Sequence, residues 1–194
     1  MRSRRSTQKL ALRMGFGVDI VGFGARSAPK RKDAQDRLDD LLGQVLDDLE
    51  AAPDETDSQS IGDGRKVFLP VGTQLQEALP TLLQAWKRCL NVDNERYRDR
   101  LRLKLSIAMG LVGLEAAGFS GQAVIELDRL LNCASLRNAI EQYTSADVVA
   151  LLSNTLYDIV VTDEYPGLTA AEFVEVQTSV REYRRSAWLW TGRL

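Results

Sequence analysis

Apolar residues recur along the chain with two spacings, and these spacings predict the secondary structure. Between residues 33 and 52 they return every three to four positions, the pattern of an amphipathic helix with Asp33 as its N-cap. Residues 101–109 alternate strictly between apolar and polar, which predicts a half-buried strand continuing to Leu114. The same criteria predict further helices at 73–91, 121–132, 136–143 and 154–161, and further strands at 10–23 and 148–152. Residues 173–190 are expected to form a terminal strand or a hairpin.

Local turn residues refine this pattern. Pro80 lies inside the predicted 73–91 helix, and because proline lacks a donor N–H, that helix is either weakened in its middle or begins near Pro80. Within residues 59–70, two β-prone stretches flank Gly62-Asp63-Gly64, and an Asp-Gly step between such stretches predicts a hairpin. Strands and helices in this order indicate an α/β sandwich with a mixed sheet. We expect one domain over 1–194, with 1–9 as a flexible basic tail.

The composition narrows the possible chemistry. The chain contains no histidine, which excludes Ser-His-Asp triads, Cys-His dyads and zinc sites built on imidazole. Its two cysteines, Cys89 and Cys133, lie in amphipathic runs and are expected to be small buried thiols in a reducing compartment. No apolar run is long enough for a membrane span, and the first 24 residues lack a signal-peptide pattern. We therefore expect a cytoplasmic location without a membrane partner.

Charge is segregated along the first third of the chain. Residues 1–32 hold nine Lys or Arg and a single acid, Asp19, whereas residues 33–63 hold eleven acids and a single base, Arg37. This distribution fits either ordinary solvated surface or a basic rim around a phosphate site. With a net charge of −2, a dedicated nucleic-acid partner is not expected.

Two acidic residues stand where a carboxylate is costly. Asp19 lies inside the apolar strand segment 17–23, and Asp63 lies at the tip of the predicted hairpin. A carboxylate near a buried face needs a cation or several hydrogen-bond donors. If the first strand pairs beside the hairpin, the two carboxylates converge, and such a pair is suited to holding Mg²⁺ against substrate phosphates.

Three motifs in order resemble the class III nucleotidyl cyclases. The segment Val18-Asp19-Ile20-Val21-Gly22-Phe23 is similar to that family's first metal-binding strand, and Ile61-Gly62-Asp63-Gly64 to its second metal-binding hairpin. The strand over 101–110, followed by a Gly-x-x-Val helix start and Arg129 one turn on, resembles the third block. The likeness spans about residues 12–190 and is closest to divergent, stand-alone bacterial members. It implies a cyclase-like α+β sandwich with a ferredoxin-like core, whose mixed sheet is mainly antiparallel.

The resemblance also implies a reaction and its residues. Two Mg²⁺ or Mn²⁺ ions, held at Asp19, Ile20 and Asp63, would serve conversion of a nucleoside triphosphate to a 3′,5′-cyclic nucleotide and pyrophosphate. The backbone amides of Val21, Gly22 and Phe23 would cradle phosphate oxygens. Arg129 corresponds to the family's transition-state arginine. Family members complete each site with residues from two subunits, so a homodimer with shared active sites is implied.

The departures from the family pattern concern the sugar and the base. The asparagine that orients the ribose in many cyclases corresponds to Ile125, which cannot hydrogen-bond. The base-reading lysine and aspartate of adenylyl cyclases correspond to the substrate-binding candidates Gln59 and Gly118. The late phosphate-binding lysine has no clear counterpart, although Arg181, Arg184 or Arg185 could serve.

These departures leave several hypotheses. One is an active cyclase that uses a different base, such as UTP or CTP, to make cyclic UMP or cyclic CMP in bacterial antiphage signalling. Another is a catalytically degenerate cyclase-like domain that acts as a regulatory or nucleotide-binding module. The third is an unrelated α/β domain in which the motifs are coincidental, because a shared fold does not guarantee shared chemistry.

Overall fold

A computed structural model describes residues 10–115, 118–180 and 183–192. Within these ranges eight strands form one sheet: β1 (Ala11–Ile20), β2 (Asp57–Ile61), β3 (Gly64–Phe68), β4 (Leu103–Glu115), β5 (Gly118–Ser120), β6 (Val148–Ser153), β7 (Phe173–Val180) and β8 (Tyr183–Trp190). The strand order is β2-β3-β1-β4-β6-β8-β7, with β5 paired to β4. All pairings are antiparallel except β4 with β6. The predicted mixed, mainly antiparallel sheet is therefore confirmed.

Five helices accompany the sheet in the same ranges: α1 (Ala28–Asp48), α2 (Leu75–Arg96), α3 (Gln122–Asn132), α4 (Ala134–Gln142) and α5 (Asn154–Val160). The main core lies between one sheet face and α1, α2 and α5, where Trp86 meets Phe16 edge to face. On the other face, α3 and α4 cover two smaller apolar clusters. The sheet is thus a middle layer, and both cysteines are buried, as expected.

The boundaries of α1 and α2 differ from the prediction. Helix α1 begins at Ala28, with Pro29 in its first turn, so the expected N-cap at Asp33 is wrong. Proline is favourable there because its fixed φ suits a helix and the first N–H groups need no intrahelical partner. Asp33 instead lies inside the helix, 3.6 Å from Arg37. Helix α2 runs unbroken from Leu75 past Pro80 to Arg96, so the alternative start near Pro80 is also wrong.

Other differences are smaller. Strand β5 has three residues and lies beside the end of β4, too short to register as an alternating pattern. Of the two alternatives for residues 173–190, the structure shows the hairpin, formed by β7 and β8. No helix among the described residues has the length and apolarity needed to cross a bilayer. The tail over 1–9 lies outside the described residues.

Candidate functional site

The backbone brings Asp19 and Asp63 together at one end of the sheet. Strand β1 pairs antiparallel with β3, and Val18 faces Arg65 across that pairing. The β2–β3 turn that carries Asp63 therefore lies beside the last residues of β1. A Cβ added to Gly64 would stand 2.2 Å from the carbonyl oxygen of Val18, so only glycine permits this close approach.

The two carboxyl groups interact directly, with consequences for their charge. They lie within hydrogen-bonding reach of each other, and both side chains are partly buried. Partial burial, followed by the nearby Asp19 carboxylate, raises the pKa of Asp63 above its ordinary value. A carboxylate pair of this kind is poised to gain a cation.

A lysine already neutralises part of this charge. Lys104 lies directly opposite Asp19 in the β1–β4 register, and its Nζ is 2.7 Å from Oδ2 of Asp19. No sequence motif marks Lys104 as a site residue. The alternation of β4 places Lys104 on the face opposite Leu103 and Leu105, but nothing local to the sequence indicates that Asp19 is its neighbour across the strands.

The residues at this corner fit a divalent cation. Oxygen ligands from carboxylates and backbone carbonyls are those that Mg²⁺ and Mn²⁺ prefer. Asp19 and Asp63 supply two carboxylates, and Ile20, whose side chain is only 2% exposed, can contribute only its backbone carbonyl. In the described part of the chain no group of three or more His, Cys, Asp or Glu gathers here or elsewhere, so a metal held here would need further ligands from substrate or water.

The chain turns sharply after β1. The N–H of Val21 donates to the carbonyl oxygen of Arg102 at 2.9 Å, so the expectation that this amide binds phosphate is wrong for the chain as it stands. Gly22 has φ 68° and ψ 19°, a left-handed conformation suited to glycine, and a short 3-10 turn follows over Phe23–Ala25. Lys30 lines the surface depression beside this turn, together with Arg26 and Asp99, which form an ion pair with each other. Amides at a tight turn with basic residues at the rim suit a phosphate group, which agrees with one interpretation of the charge segregation.

The two base-reading positions touch each other within one chain. Gly118 has φ 120°, and a Cβ there would stand 2.7 Å from Nε2 of Gln59. The amide of Gln59 therefore occupies the space that a side chain at position 118 would need. Directly across the β2–β3 hairpin, Lys66 faces Gln59 on the same side of the sheet.

Helix α3 carries Ile125 and Arg129. Ile125 is 46% exposed, which is high for an isoleucine, and Arg129 is partly buried. Asp128, next to Arg129, forms an ion pair with Lys66 of β3 at 2.7 Å. No local sequence pattern predicts this ion pair, because Lys66 and Asp128 are far apart in sequence.

Of the three arginines expected as candidates for late phosphate binding, only Arg185 has a described side chain. Arg181 and the side chain of Arg184 lie outside the described residues. Arg185 lies on β8 beyond the pairing of Ala187 with Ser153, near the C-terminal end of β6. Asp19 is level with the N-terminal part of β6, through Lys104 and Val149. Within one chain, Arg185 is therefore at the opposite end of the sheet from the carboxylates.

Comparison with known proteins identifies the fold. No protein-family model matches the sequence, and a search of curated proteins finds no significant match. Among solved structures, the guanylyl cyclase Cya2 superposes with a TM-score of 0.65 at 12% identity, covering 94% of this chain and 92% of that one. An adenylate/guanylate cyclase/hydrolase from Silicibacter pomeroyi has a TM-score of 0.61 at 14% identity, covering 96% and 99%.

A third neighbour was solved with nucleotide. The guanylate cyclase domain of RhGC from Catenaria anguillulae, in complex with GTP, has a TM-score of 0.61 at 12% identity and covers 95% of this chain and 98% of that one. Identities this low establish the architecture and leave the chemistry to the site itself. The chain has the fold of the adenylyl and guanylyl cyclase domains.

Proposed function

We propose that this protein is a nucleotidyl cyclase, which converts a nucleoside triphosphate to a 3′,5′-cyclic nucleotide and pyrophosphate. The observation that carries the proposal is the meeting of Asp19 and Asp63 at the end of β1, in a chain with the cyclase fold. The raised pKa of Asp63 means that its ionised form destabilises the fold. The lack of room for a Cβ at Gly64 restricts that position to glycine. Such costs are typical of functional sites.

The chain's own residues have separable tasks in this reaction. Asp19 and Asp63 would hold two Mg²⁺ or Mn²⁺ ions, which supply charge neutralisation of the triphosphate and activation of the ribose 3′-hydroxyl. The amides of Gly22 and Phe23 would bind phosphate oxygens and keep the chain of phosphates in line, since the Val21 N–H is already taken by the carbonyl oxygen of Arg102.

Arg129 would act where charge accumulates during the reaction. Its planar guanidinium suits two phosphate oxygens at once, and a positioned donor of this kind contributes about 10²-fold or more to a rate. We propose that it acts across a homodimer, each site taking its carboxylates from one subunit and Arg129 from the other.

The base is the least constrained part of the substrate. Gln59 stands over Gly118, so an amide replaces the charged pair that reads adenine in adenylyl cyclases. An amide offers a donor and an acceptor, which suits the edge of uracil or cytosine as well as that of a purine, so the choice of a pyrimidine rests on the missing adenine-reading pair. We propose UTP or CTP as substrate, which would place the product in cyclic-pyrimidine antiphage signalling.

One observation favours a second function. Ile125 takes the place of the ribose-orienting asparagine and cannot form its hydrogen bond. A cyclase-like domain without that bond could retain nucleotide binding and serve as a regulatory module. Loss of one such donor slows a reaction by about 10²-fold without abolishing it, so we favour the active enzyme.

The decisive experiment offers the protein each of the four ribonucleoside triphosphates with Mn²⁺ or Mg²⁺ and detects cyclic products by mass spectrometry. We expect cyclic product from at least one pyrimidine nucleotide. Asp19→Ala and Asp63→Ala should abolish it, whereas Asp36→Ala, which removes an exposed acid of α1, should not. Absence of product from all four nucleotides at dimer-forming concentration would contradict the enzymatic proposal, and an active Asp63→Ala protein would contradict the two-metal assignment.

A further inference from the structure

A buried lysine joins the hairpin of Asp63 to the helix of Arg129. The side chain of Lys66 on β3 is only 7% exposed, and its Nζ lies 2.7 and 2.9 Å from the two carboxylate oxygens of Asp128 on α3. Lys66 follows Asp63 by three residues, and Asp128 immediately precedes Arg129. One ion pair thus links the two segments that carry these candidate site residues.

The contribution of this ion pair to the free energy of unfolding does not by itself explain its presence. Removing an ammonium group from water is costly, and a buried ion pair is often no more stabilising than two well-packed apolar side chains of similar volume. The next residues of β3, Val67 and Phe68, are apolar and fully buried, so an apolar residue would suit position 66 as well. What an ion pair adds is a defined register between the elements that it joins.

The rest of the contact between α3 and the sheet is apolar, with Val124 and Leu127 of the helix packed among Phe68, Ala108 and Val112 of the strands. Strand residues beneath the helix include Gly17 and Gly110, and a Cβ at Gly110 would lie 3.2 Å from the Cβ of Ala123. Apolar packing is not directional, so it places a helix less sharply than a hydrogen-bonded ion pair does. A lysine clamped by both oxygens of one carboxylate resists sliding, because moving the helix by a fraction of its rise breaks the contacts.

We propose that Lys66 and Asp128 form a positioning pair, which fixes α3 against the β2–β3 hairpin and so sets the position from which Arg129 reaches the site of the partner subunit. This inference rests on the proposed cyclase function for its effect on rate. Arg129 must reach the transferring phosphoryl group with correct orientation, and a displacement of about 1 Å at such a group can cost about 10²-fold in rate. Neither residue of the pair touches substrate in this scheme.

The chain supplies a matched control for the test. Arg65, the neighbour of Lys66 on β3, points to the other face of the sheet and pairs with Asp39 of α1 at 2.7 Å. The side-chain exposures of the two pairs are similar, 7% and 49% for Lys66 and Asp128 against 12% and 53% for Arg65 and Asp39. The variants Lys66→Met and Arg65→Met therefore remove comparable ion pairs from one strand, but only the first releases α3.

Steady-state kinetics of the full chain give the first readout. We expect Lys66→Met to lower kcat about 10- to 100-fold while KM for the nucleotide changes by less than about threefold. Lys66→Arg, which keeps the ion pair, should retain most of the kcat, and Arg65→Met should resemble the wild type. A kcat for Lys66→Met equal to that of Arg65→Met would overturn the inference, even if the thermal midpoint had fallen.

The choice of substitution keeps the test interpretable. Asp128→Asn would leave the Lys66 ammonium buried without a carboxylate and would threaten folding itself. Lys66→Met leaves only the half-exposed carboxylate of Asp128, which water can solvate. The methionine also fills the space of the lysine stem, so a cavity does not confuse the result.

Hydrogen exchange gives a second readout that needs no turnover. In Lys66→Met the amides of α3, residues 122–132, should exchange faster than in the wild type, while those of α2 remain unchanged and Arg65→Met leaves α3 unaffected. If the wild type yields no cyclic product, the proposed function fails but this measurement still decides the placement of the helix. Equal exchange of α3 in Lys66→Met and the wild type would overturn the positioning role regardless of activity.

Discussion

At the scale of single residues, the site is a balance between two carboxylates and one ammonium. Asp19 is neutralised by Lys104, while Asp63 keeps a raised pKa because burial and Asp19 both disfavour its charged form. The free energy needed to ionise Asp63 is therefore higher in the folded protein than in the unfolded chain. This difference predicts how stability responds to pH and to substitution.

Asp63→Asn should stabilise the metal-free protein above neutral pH. Because the folded-state pKa of Asp63 is raised, its favourable contribution exists below the unfolded pKa and is lost as pH rises through the folded pKa. Asparagine has no such loss. Urea unfolding in EDTA should show the variant more stable than wild type at pH 7.5, with a gap that narrows toward pH 4. Asp54→Asn, at an exposed turn position, is the control, and a less stable Asp63→Asn protein at pH 7.5 would contradict the prediction.

Lys104→Gln should bind divalent metal more tightly in the absence of nucleotide. The Lys104 ammonium lies 2.7 Å from Asp19 and repels any cation that approaches the same oxygens. Removing this charge should tighten Mn²⁺ binding by roughly tenfold or more. This is the size of effect expected when the repulsion from one unit charge at short range is removed in a partly solvated site. Isothermal titration with Mn²⁺ measures the change. Lys32→Gln, on the exposed surface of α1, should leave the affinity as it is, and an unchanged affinity for Lys104→Gln would refute the competition.

At the scale of elements, the site depends on how closely the β2–β3 hairpin lies against β1. Gly64 makes this possible, since the carbonyl oxygen of Val18 occupies the space beside its Cα. Any side chain there would have to displace backbone rather than a flexible group. The position of Asp63 is therefore set by its neighbour Gly64 as much as by its own side chain.

Gly64→Ala should weaken both the fold and the site. A Cβ placed 2.2 Å from the Val18 carbonyl oxygen forces the hairpin away from β1, at a cost of about 2 kcal/mol or more in the free energy of unfolding. Mn²⁺ affinity should fall as Asp63 moves away from Asp19. Gly43→Ala is the matched control, because it lies in α1 with nothing within 4 Å of its Cβ and should be neutral or stabilising. Equal stability of the two variants would count against this account of the hairpin.

Local patterns predicted most elements, and non-local contacts account for what they missed. The alternation in β4 and the Asp-Gly step at 63–64 depend only on neighbouring residues, and both predictions match the structure. The partners of Asp19 and Asp128 depend instead on strand register and helix placement. Sequence periodicity shows which face Lys104 and Lys66 occupy, but it does not show which residue lies across the gap.

At the scale of the whole molecule, the proposed site needs a second subunit. The apolar side chains of Leu12 and Leu111, each at least half exposed, face each other across the β1–β4 pairing. Exposed apolar residues in such an arrangement are typical of surfaces covered in an assembly. Their presence agrees with the homodimer that the proposed function requires.

Mixing two inactive variants should restore activity. If each site takes Asp19 from one subunit and Arg129 from the other, a heterodimer of Asp19→Ala and Arg129→Ala chains contains one intact site. An equal mixture after subunit exchange should then recover about a quarter of wild-type activity, because about half of the dimers are mixed and each has one site. The assay is cyclic-nucleotide formation by the mixture against each variant alone. No recovery, with exchange verified by mass, would argue against shared sites.

The β1–β4 pairing also dictates how the protein must fold. It joins the beginning of the chain to its middle, across the whole of α1, the β2–β3 hairpin and α2. Pairing of such distant segments slows folding, because the chain loses loop-closure entropy before the stabilising contacts between the strands form. During synthesis the apolar β1 has to wait for β4 to emerge, and its unpaired edge is open to mispairing meanwhile. Lys104 contacts Asp19 only after β4 has paired with β1. The site therefore forms at a late step of folding, together with the centre of the sheet.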